Sequence, residues 1–461
     1  MNTRLIVATS TFFVASHVAL LAADWNRFRG PNGSGVASGE AVPPLTWSDT
    51  ENVKWKVPLP GPGSSSPVVS GDRVFVTYWT GYATGGEAQG RMEDLEIHLR
   101  CLDRGTGATK WDRAVKARLP EQSYDGMFAN HGYASHTPVT DGERVYAFFG
   151  KTGVFAFDLE GKELWRREVG DGLDERGWGS SSSPVLTESG VIILASPESH
   201  SMFCLDKTTG TVVWKQEAEG FGSTWGTPVV VGRGEDELVV VGVPNEVWAL
   251  NARTGKMRWY VDGVRGNAMT GSVVAVKDSI LASGDRGGGT RRIKWEGTGS
   301  ASEPQIVWTG KDGGNITTPL VYENRIYFLK SGIMNCRDFE TGKEIYAERL
   351  PAPAGQDQGV AEGRGGGGLR GGRPGGAGGG GRRGGGGRFG NPDYASPVAA
   401  GGYLFQLTGR GETIVVKLGD TFEFMGRNSF ASDRSNFTGT PAISDGQIFV
   451  RSYQHLYCLA K

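Results

Sequence analysis

Side chains able to hold a planar polar molecule recur at one kind of place along the chain, shortly before a triplet of Ser or Thr, Pro and an apolar residue. The set is Asn130, His131, His136, Trp178, Trp225, Asn267, Asn315, Asp393 and Asn436. Aromatic faces stack on a ring, and amide and imidazole groups fix its orientation, so these residue types suit a planar, anionic or sugar-like ligand. The alternative is that the polar groups only satisfy exposed strand ends.

The triplet itself gives the chain its period. It stands at Pro67, Pro138, Pro184, Pro228, Pro319, Pro397 and Pro441, with a degenerate copy centred on Val273. The pitches are 71, 46, 44, 45, 46, 78 and 44 residues. Five of these seven pitches match a four-stranded propeller blade, and the two long ones match a blade with an insertion. Eight markers therefore predict eight blades.

A ten-residue phrase, LDKTTGTVVW from Leu205 to Trp214, repeats at the same pitch. Its copies end at Trp111, Trp165, Trp259 and Tyr346. In each copy Asp or Asn bonds back onto the following backbone and Gly supplies a left-handed position, so the phrase predicts a β-hairpin.

The predicted fold is all-β, an eight-bladed propeller of four-stranded antiparallel blades over residues 52–461. The last blade lacks an outer strand, because the chain stops at Lys461. The alternating segment Val53–Val57 has no partner nearby in sequence and can complete that blade, which closes the ring and removes a free edge. Residues 24–51 are a turn-rich lead-in, in which Trp25 and Phe28 are the expected anchors.

The N-terminus predicts export. Residues 1–23 carry one positive charge at Arg4, an interrupted apolar run from Leu5 to Leu21, and the small pair Ala22 and Ala23. This pattern indicates a cleavable signal peptide, the alternative being a retained membrane anchor. No later stretch is long and apolar enough to span a bilayer. We expect a periplasmic or secreted protein that is a monomer.

Four cysteines in an exported chain normally suggest disulfides. Here Cys101, Cys204 and Cys336 share one position of the repeated phrase, and Cys458 follows the same apolar pattern. Equivalent positions lie on different strands at similar depth, so the four are expected to be free, buried side chains that hold no metal.

A Gly/Arg-rich insertion at about 354–392 is the basic part of a chain whose formal net charge is −1. Residues 361–390 contain eighteen Gly and six Arg. So little apolar surface cannot offset chain entropy, which predicts disorder. Arg-Gly segments resemble nucleic-acid-binding tails, but in an exported protein a solvated loop is the better interpretation, and no nucleic acid partner is expected.

With these motifs the sequence resembles the pyrroloquinoline-quinone (PQQ)-type eight-bladed propellers. That family includes quinoprotein alcohol dehydrogenases and the propeller lipoprotein of the outer-membrane β-barrel assembly machine. The lead-in WNRFRGPNGSGV is similar to exported propellers of Planctomycetes-type bacteria. The resemblance implies that one aromatic side chain per blade packs on the hairpin turn of the next, in the set Trp55, Trp111, Trp165, Trp214, Trp259, Trp308 and Tyr346.

A quinoprotein dehydrogenase would also need PQQ, a bound Ca²⁺ and a base for the alcohol proton. The resemblance makes Asp285 the candidate base, Arg286 the group that polarises the quinone, and Asn267 a candidate Ca²⁺ ligand. A solvated turn explains Asp285 and Arg286 equally well. The sequence has no adjacent cysteines and no Cys-x-x-Cys-His haem motif.

Hydrolase and nucleotide-binding signals are also missing from the sequence, which has no Gly-x-Ser-x-Gly, no His-Glu-x-x-His and no phosphate loop opening a helix. We therefore predict a binding or scaffold module, with a protein or a small ligand at the axial mouth or on a propeller face. The alternatives are a PQQ- and Ca²⁺-dependent alcohol or sugar dehydrogenase and an outer-membrane protein assembly factor.

Overall fold

The computed structural model describes residues 24–85, 89–124, 126–284, 288–295, 303–314, 316–352 and 393–461. The predicted signal peptide, the Gly/Arg-rich insertion at about 354–392, and Asp285, Arg286 and Asn315 lie outside these residues.

Within the described residues, thirty-two strands form eight four-stranded antiparallel sheets. The first four blades are β2 (Val68–Ser70), β3 (Arg73–Thr80), β4 (Glu96–Asp103) and β5 (Thr109–Lys116); β6 (Val139–Thr140), β7 (Arg144–Phe148), β8 (Val154–Asp158) and β9 (Glu163–Arg167); β10 (Val185–Leu186), β11 (Val191–Ala195), β12 (Ser201–Leu205) and β13 (Val212–Glu217); and β14 (Val229–Val231), β15 (Leu238–Val243), β16 (Glu246–Asn251) and β17 (Met257–Asp262).

The other four blades are β18 (Val274–Val276), β19 (Ser279–Ser283), β20 (Thr290–Lys294) and β21 (Gln305–Gly310); β22 (Leu320–Tyr322), β23 (Arg325–Lys330), β24 (Ile333–Asp338) and β25 (Glu344–Arg349); β26 (Val398–Ala400), β27 (Tyr403–Leu407), β28 (Thr413–Lys417) and β29 (Glu423–Asn428); and β30 (Ala442–Ser444), β31 (Gln447–Arg451) and β32 (His455–Leu459) with β1 (Val53–Pro58). The predicted eight-bladed propeller is confirmed.

Each inner strand starts one residue after its marker, because Pro lacks a donor and is tolerated only at a strand's beginning. The middle strands are covered on both faces by neighbouring blades. In β11 and β12, for example, every residue is buried. Outer strands such as β13 are mostly exposed, and in β13 only Trp214 is buried. The hydrophobic core therefore lies between blades.

The N-terminal strand closes the ring as predicted. β1 pairs antiparallel with β32, with Trp55 opposite Cys458 and Pro58 opposite His455. The first and last parts of the propeller are thus held in one sheet, and no unpaired edge of β32 remains.

The aromatic docking contacts are also confirmed for most blades. The Trp165 indole donates to the Lys207 carbonyl in the next blade at 3.0 Å, and a Cβ on Gly210 would lie 2.4 Å from the Trp165 ring. Equivalent indole bonds join Trp55 to Arg104, Trp111 to Leu159, Trp214 to Ala252 and Trp308 to Phe339. Trp259 differs, since its indole nitrogen has no partner and its ring packs on Trp295.

The four cysteines are free and buried, as expected. They lie on β4, β12, β24 and β32, the third strand of their blades. Burial raises the pKa of all four thiols, to about 12 for Cys101, Cys204 and Cys458 and to about 11 for Cys336.

Helix is scarce among the described residues. One single-turn α-helix, α1, spans Ser196–Ser199. Short 3-10 turns span Pro31–Gly33, Met92–Asp94, Gly126–Asn130, Gly150–Thr152, Glu219–Ser223 and Gly234–Asp236. None of the helices in the described part of the chain is long and apolar enough to cross a membrane.

Candidate functional site

A ring of hydroxyl groups fixes the segments that precede the inner strands. At seven of the eight blade junctions, the backbone N–H just before the marker position donates to the Ser or Thr hydroxyl at the same position of the next blade. The chain of donors and acceptors runs Ser66, Thr137, Ser183, Thr227, Ser272, Thr318, Ser396 and Thr440. The eighth junction, from blade 8 back to blade 1, lacks this bond, because the buried Ser66 hydroxyl has no hydrogen-bond partner. The eight lead-ins therefore meet at one end of the axial channel, here called the mouth face.

Two of the predicted aromatic residues meet on this face. The rings of Trp178 and Trp225 lie 5.1 Å apart, and Phe128 stacks on Trp178 at 5.8 Å. The exposed guanidinium of Arg176 lies 5.4 Å from the Trp178 ring and 5.5 Å from the Trp225 ring. The result is an aromatic cluster with a cation on its solvent side, which can attract an anionic group.

Asn267 lies beside this cluster but is exposed. Its backbone carbonyl accepts a hydrogen bond from Arg176 at 3.0 Å. A guanidinium in contact with Asn267 repels a second cation. No three or more His, Cys, Asp or Glu side chains among the described residues are arranged to hold a metal ion. This part of the mouth face therefore does not fit a Ca²⁺ ion.

A second group brings Asn130, His131 and Asn436 together. The Asn436 amide donates to the Asn130 side-chain oxygen at 2.8 Å. The His131 ring contacts Tyr394 edge to face at 4.3 Å, and its Nδ1 is 3.2 Å from the Ser135 hydroxyl. Burial lowers the pKa of His131 to about 4, so the imidazole is neutral at pH 7.

His136 belongs to a third group, deeper in the molecule. Its Nε2 lies 2.9 Å from the Ser180 hydroxyl, which also hydrogen-bonds to the carboxylate of Glu198. Burial lowers the pKa of His136 to about 3 and raises that of Glu198 to about 7. His136 is therefore a poor base, and because Glu198 bonds the serine instead of the histidine, the group is not a Ser-His-acid catalytic triad.

Asp393 precedes Tyr394, which contacts His131, but its own side chain bonds elsewhere. Its carboxylate accepts the Gly409 amide at 2.9 Å, and burial raises its pKa. The described candidates are thus distributed among local hydrogen-bonded groups, and Asp285, Arg286 and Asn315 remain predictions.

Residues 117–124 and 126–136, here called the cover loop, lie across the mouth. Phe128 reaches blade 3 through Trp178. The Asn130 carbonyl accepts the Ser64 hydroxyl of the blade 1 lead-in at 2.5 Å and the Tyr453 hydroxyl of blade 8. His131 reaches Tyr394 at the start of blade 7. The cover loop thus bridges blades on opposite sides of the axis and covers the channel.

The lead-in closes the other end of the channel. Trp25 pairs with Val69 in the blade 1 inner strand, and Asp24 accepts hydrogen bonds from Ser70 and Gly71 where that strand ends. Further along, Val36 pairs with Ala399 in blade 7. The segment therefore crosses the axis on the face opposite the mouth.

Two arginines of the lead-in fill the channel between these contacts. Arg29 is 1% exposed and donates to the carbonyls of Gly33, Ser34, Thr318, Pro319 and Pro397. Arg27 donates to Pro228 at 3.0 Å. Burial lowers their pKa values to about 9 for Arg29 and about 10 for Arg27.

Sequence reasoning missed these arginines. It named Trp25 and Phe28 as anchors, whereas Phe28 is only partly buried. Residues 27–30 form a turn, with Arg29 at a φ of 60° and the Gly30 N–H bonded to the Arg27 carbonyl, and no periodic signal in the sequence marks these two arginines as buried.

Solved structures share this architecture. BamB from Moraxella catarrhalis matches at a TM-score of 0.56 and 11% identity, over 89% of this chain and 99% of that one. Quinohemoprotein alcohol dehydrogenase from Comamonas testosteroni matches at a TM-score of 0.59 and 12% identity, over 95% of this chain and 80% of that one. Identities this low show the fold alone.

A curated relative is tetrathionate hydrolase of Acidithiobacillus ferrooxidans, 23% identical over 305 residues. The match covers 61% of this chain and 56% of the relative, so the chain spans little more than half of that protein. A family profile matches a larger part of this chain than that relative does. Residues 21–197 and 150–364 match the family described as "Outer membrane protein assembly factor BamB". Together these two matches span most of the chain, which therefore belongs to that family of PQQ-like propellers.

Proposed function

We propose that this chain is an exported binding module that holds a protein partner on its mouth face. The observation that carries the proposal is the closed channel. Arg27 and Arg29 occupy it from one side, and the cover loop closes it from the other with Phe128 stacked on Trp178. The Trp178 ring, which is suited to stacking on a planar cofactor, is already covered by Phe128. We therefore expect a partner to bind on the outer surface of the mouth face.

That surface carries groups suited to protein binding. Leu119 and Leu173 are 41% and 40% exposed, and their segments are joined by a 2.8 Å bond from the Gln122 amide to the Asp174 carbonyl. Arg176 stands three residues after Leu173. Exposed apolar side chains beside an arginine on aromatic rings are typical of interface hot spots. The fitting partner presents a carboxylate to Arg176 and apolar side chains to the two leucines.

Site-specific crosslinking in cells tests this proposal. A photoreactive residue replacing Arg176 should give one discrete protein adduct, and Leu173→Asp in the same chain should remove it. The control position is Glu235, which is exposed on the opposite face between β14 and β15. Equal labelling from both positions, or none from either, would contradict a partner on the mouth face.

The dehydrogenase alternative has its own assay. The purified chain is incubated with PQQ and Ca²⁺, and dye reduction by alcohols and aldoses is measured. We expect no turnover above background. Turnover that Asp285→Ala abolishes would overturn the binding-module proposal in favour of an enzyme. Because of the partial match to tetrathionate hydrolase, tetrathionate consumption belongs in the same series.

Export is part of the proposal, supported by the pattern of residues 1–23. N-terminal sequencing of the protein recovered from the envelope or medium should start at Asp24. Recovery of a full-length chain from the cytoplasm would contradict it.

A further inference from the structure

A small polar cavity lies beneath the cover loop, between this loop and the loops of blades 2 and 3. Its volume is about 30 Å³, enough for one or two water-sized occupants. Three acidic side chains line it, Glu121, Asp174 and Glu198, with a single basic group, Lys151. The cavity is separate from the aromatic cluster with Arg176 on the mouth face.

Two nearly inaccessible side chains facing this cavity have atoms without partners. Glu198 is 4% exposed and its Oε2 bonds to nothing. His136 is 5% exposed and its Nδ1 is also without a partner. In addition, the side-chain oxygen of Gln122 is buried without a partner, while its amide nitrogen donates to Asp174. Polar atoms left unpaired in an interior cost free energy, so an occupant that pairs with them would stabilise the fold.

All three unpaired atoms are acceptors. Amide oxygens and ionised carboxylate oxygens have only lone pairs to offer, and because burial raises the pKa of Glu198 to about 7, Glu198 is mainly an acceptor of this kind above pH 7. The Ser180 hydroxyl proton serves Glu198, so the Nε2–H of His136 donates to Ser180 and leaves a lone pair on Nδ1. The occupant must therefore donate hydrogen bonds or carry positive charge.

The balance of charge favours a cation over water. Lys151 supplies one positive charge and donates to the Pro120 carbonyl, against the carboxyl groups of Glu121, Asp174 and Glu198. Burial raises the pKa of Glu121, and that of Glu198 to about 7, so a bound cation would compete with a proton at Glu198. Neutral water satisfies the lone pairs but does not offset buried negative charge. Among the described residues no three His, Cys, Asp or Glu converge as metal ligands, which disfavours a transition metal.

We propose that this cavity binds a monovalent cation of about the size of water, potassium or ammonium, between Glu198, Gln122 and His136. Glu198 belongs to α1 of blade 3, whereas Gln122 and His136 belong to the cover loop. The bound ion thus ties the cover loop to blade 3 and holds the mouth closed.

Thermal unfolding of the purified chain in different chlorides tests the site. At equal ionic strength, KCl or NH₄Cl should raise the melting temperature by about 3 °C over choline chloride, if the ion is at about one hundred times its Kd. NaCl should give a smaller shift, because Na⁺ binds its water more tightly. Titrations of the melting temperature with KCl and with NH₄Cl show which ion the site prefers, because the preferred ion reaches half of its full shift at the lower concentration.

Glu198→Gln separates this cavity from other cation sites. The amide has nearly the same shape, lacks the charge and supplies its own N–H donors. We expect this variant to lose the potassium dependence while melting in choline at the temperature the parent reaches in KCl. Glu219→Gln, at an almost fully exposed carboxylate, is the matched control and should keep the dependence. A dependence that survives Glu198→Gln would place the ion elsewhere and overturn the proposal.

A thallium soak of crystals of the unmutated chain gives a readout that needs no variant. Thallium replaces potassium and scatters anomalously, so a peak should lie within bonding distance of the Glu198 carboxylate. Equal melting temperatures in all four chlorides, or a cavity that holds only water in the thallium data, would overturn the proposal.

Discussion

At the scale of residues, burial decides which polar groups are available for chemistry. In the sequence His131 and His136 are candidates for binding a planar ligand at the axial mouth, and in the fold burial lowers their pKa values to about 4 and about 3. Glu198 was not a candidate, yet burial and the neighbouring carboxylates raise its pKa to about 7. Residue type could be read from the sequence, but burial could not, because it depends on loops from other blades.

The depressed pKa of His136 predicts how stability depends on pH. The unfolded chain protonates this histidine below its ordinary pKa of 6.5, whereas the folded chain resists protonation down to about pH 3. The free energy of unfolding should therefore fall as pH drops from 6.5, and His136 should contribute up to about 1.4 kcal/mol per pH unit.

Urea denaturation between pH 6.5 and 4.5 measures this contribution. His136→Gln can still donate to Ser180 but does not titrate, so its slope should be shallower than that of the parent chain by about that amount. His200→Gln, at a half-exposed ring, should leave the slope unchanged. Equal slopes in the parent and His136→Gln would show that His136 is not held neutral by burial.

At the scale of elements, the repeated hairpin and the docking tryptophan account for most of the architecture. The strand-turn-strand pattern around Gly210 was predictable because turn chemistry is local, and the contact with Trp165 follows from the blade pitch. The cover loop and the lead-in follow no such period. Their positions depend on unrepeated contacts, such as Asn130 with Asn436 and Arg29 with Pro319.

Ring closure by β1 predicts a large cost for removing its aromatic anchor. Trp55 is buried, and its indole bonds to Arg104 in blade 1. Trp55→Ala should reduce the free energy of unfolding by about 3–5 kcal/mol. Tyr260 on the outer strand β17 is 65% exposed, and Tyr260→Ala should change it by less than about 0.5 kcal/mol. Similar urea midpoints for the two variants would show that docking at the closure is not required.

At the scale of the whole molecule, a closed ring is expected to unfold as one unit, with no blade separating from its neighbours before the others. Its cysteines probe this, because Cys101, Cys204, Cys336 and Cys458 lie at equivalent buried positions in blades 1, 3, 6 and 8. Each thiol becomes reactive only when its blade separates from a neighbour.

We predict that all four thiols resist alkylation in the native protein and react at one common rate in mild urea. Mass spectrometry of peptides from a time course of iodoacetamide labelling measures the four rates. Val213→Cys, at a side chain that is 48% exposed on an outer strand, is the control and should react at once. A native thiol that reacts far ahead of the other three would show local opening of its blade.

The sequence by itself determined the number of blades, their strand order and the closing strand, because each follows from a periodic signal or from local turn chemistry. The docking role of the tryptophans came from the family resemblance, and it holds for Trp165 but not for the indole nitrogen of Trp259. Tertiary structure alone decided that Arg27 and Arg29 fill the axis, that the cover loop closes the mouth, and that Glu198 faces a cavity beneath it. The physical reason is separation along the chain. Arg29 meets Pro397 across 368 residues and Asn436 meets Asn130 across 306, and such contacts form only once the eight blades have set the ring.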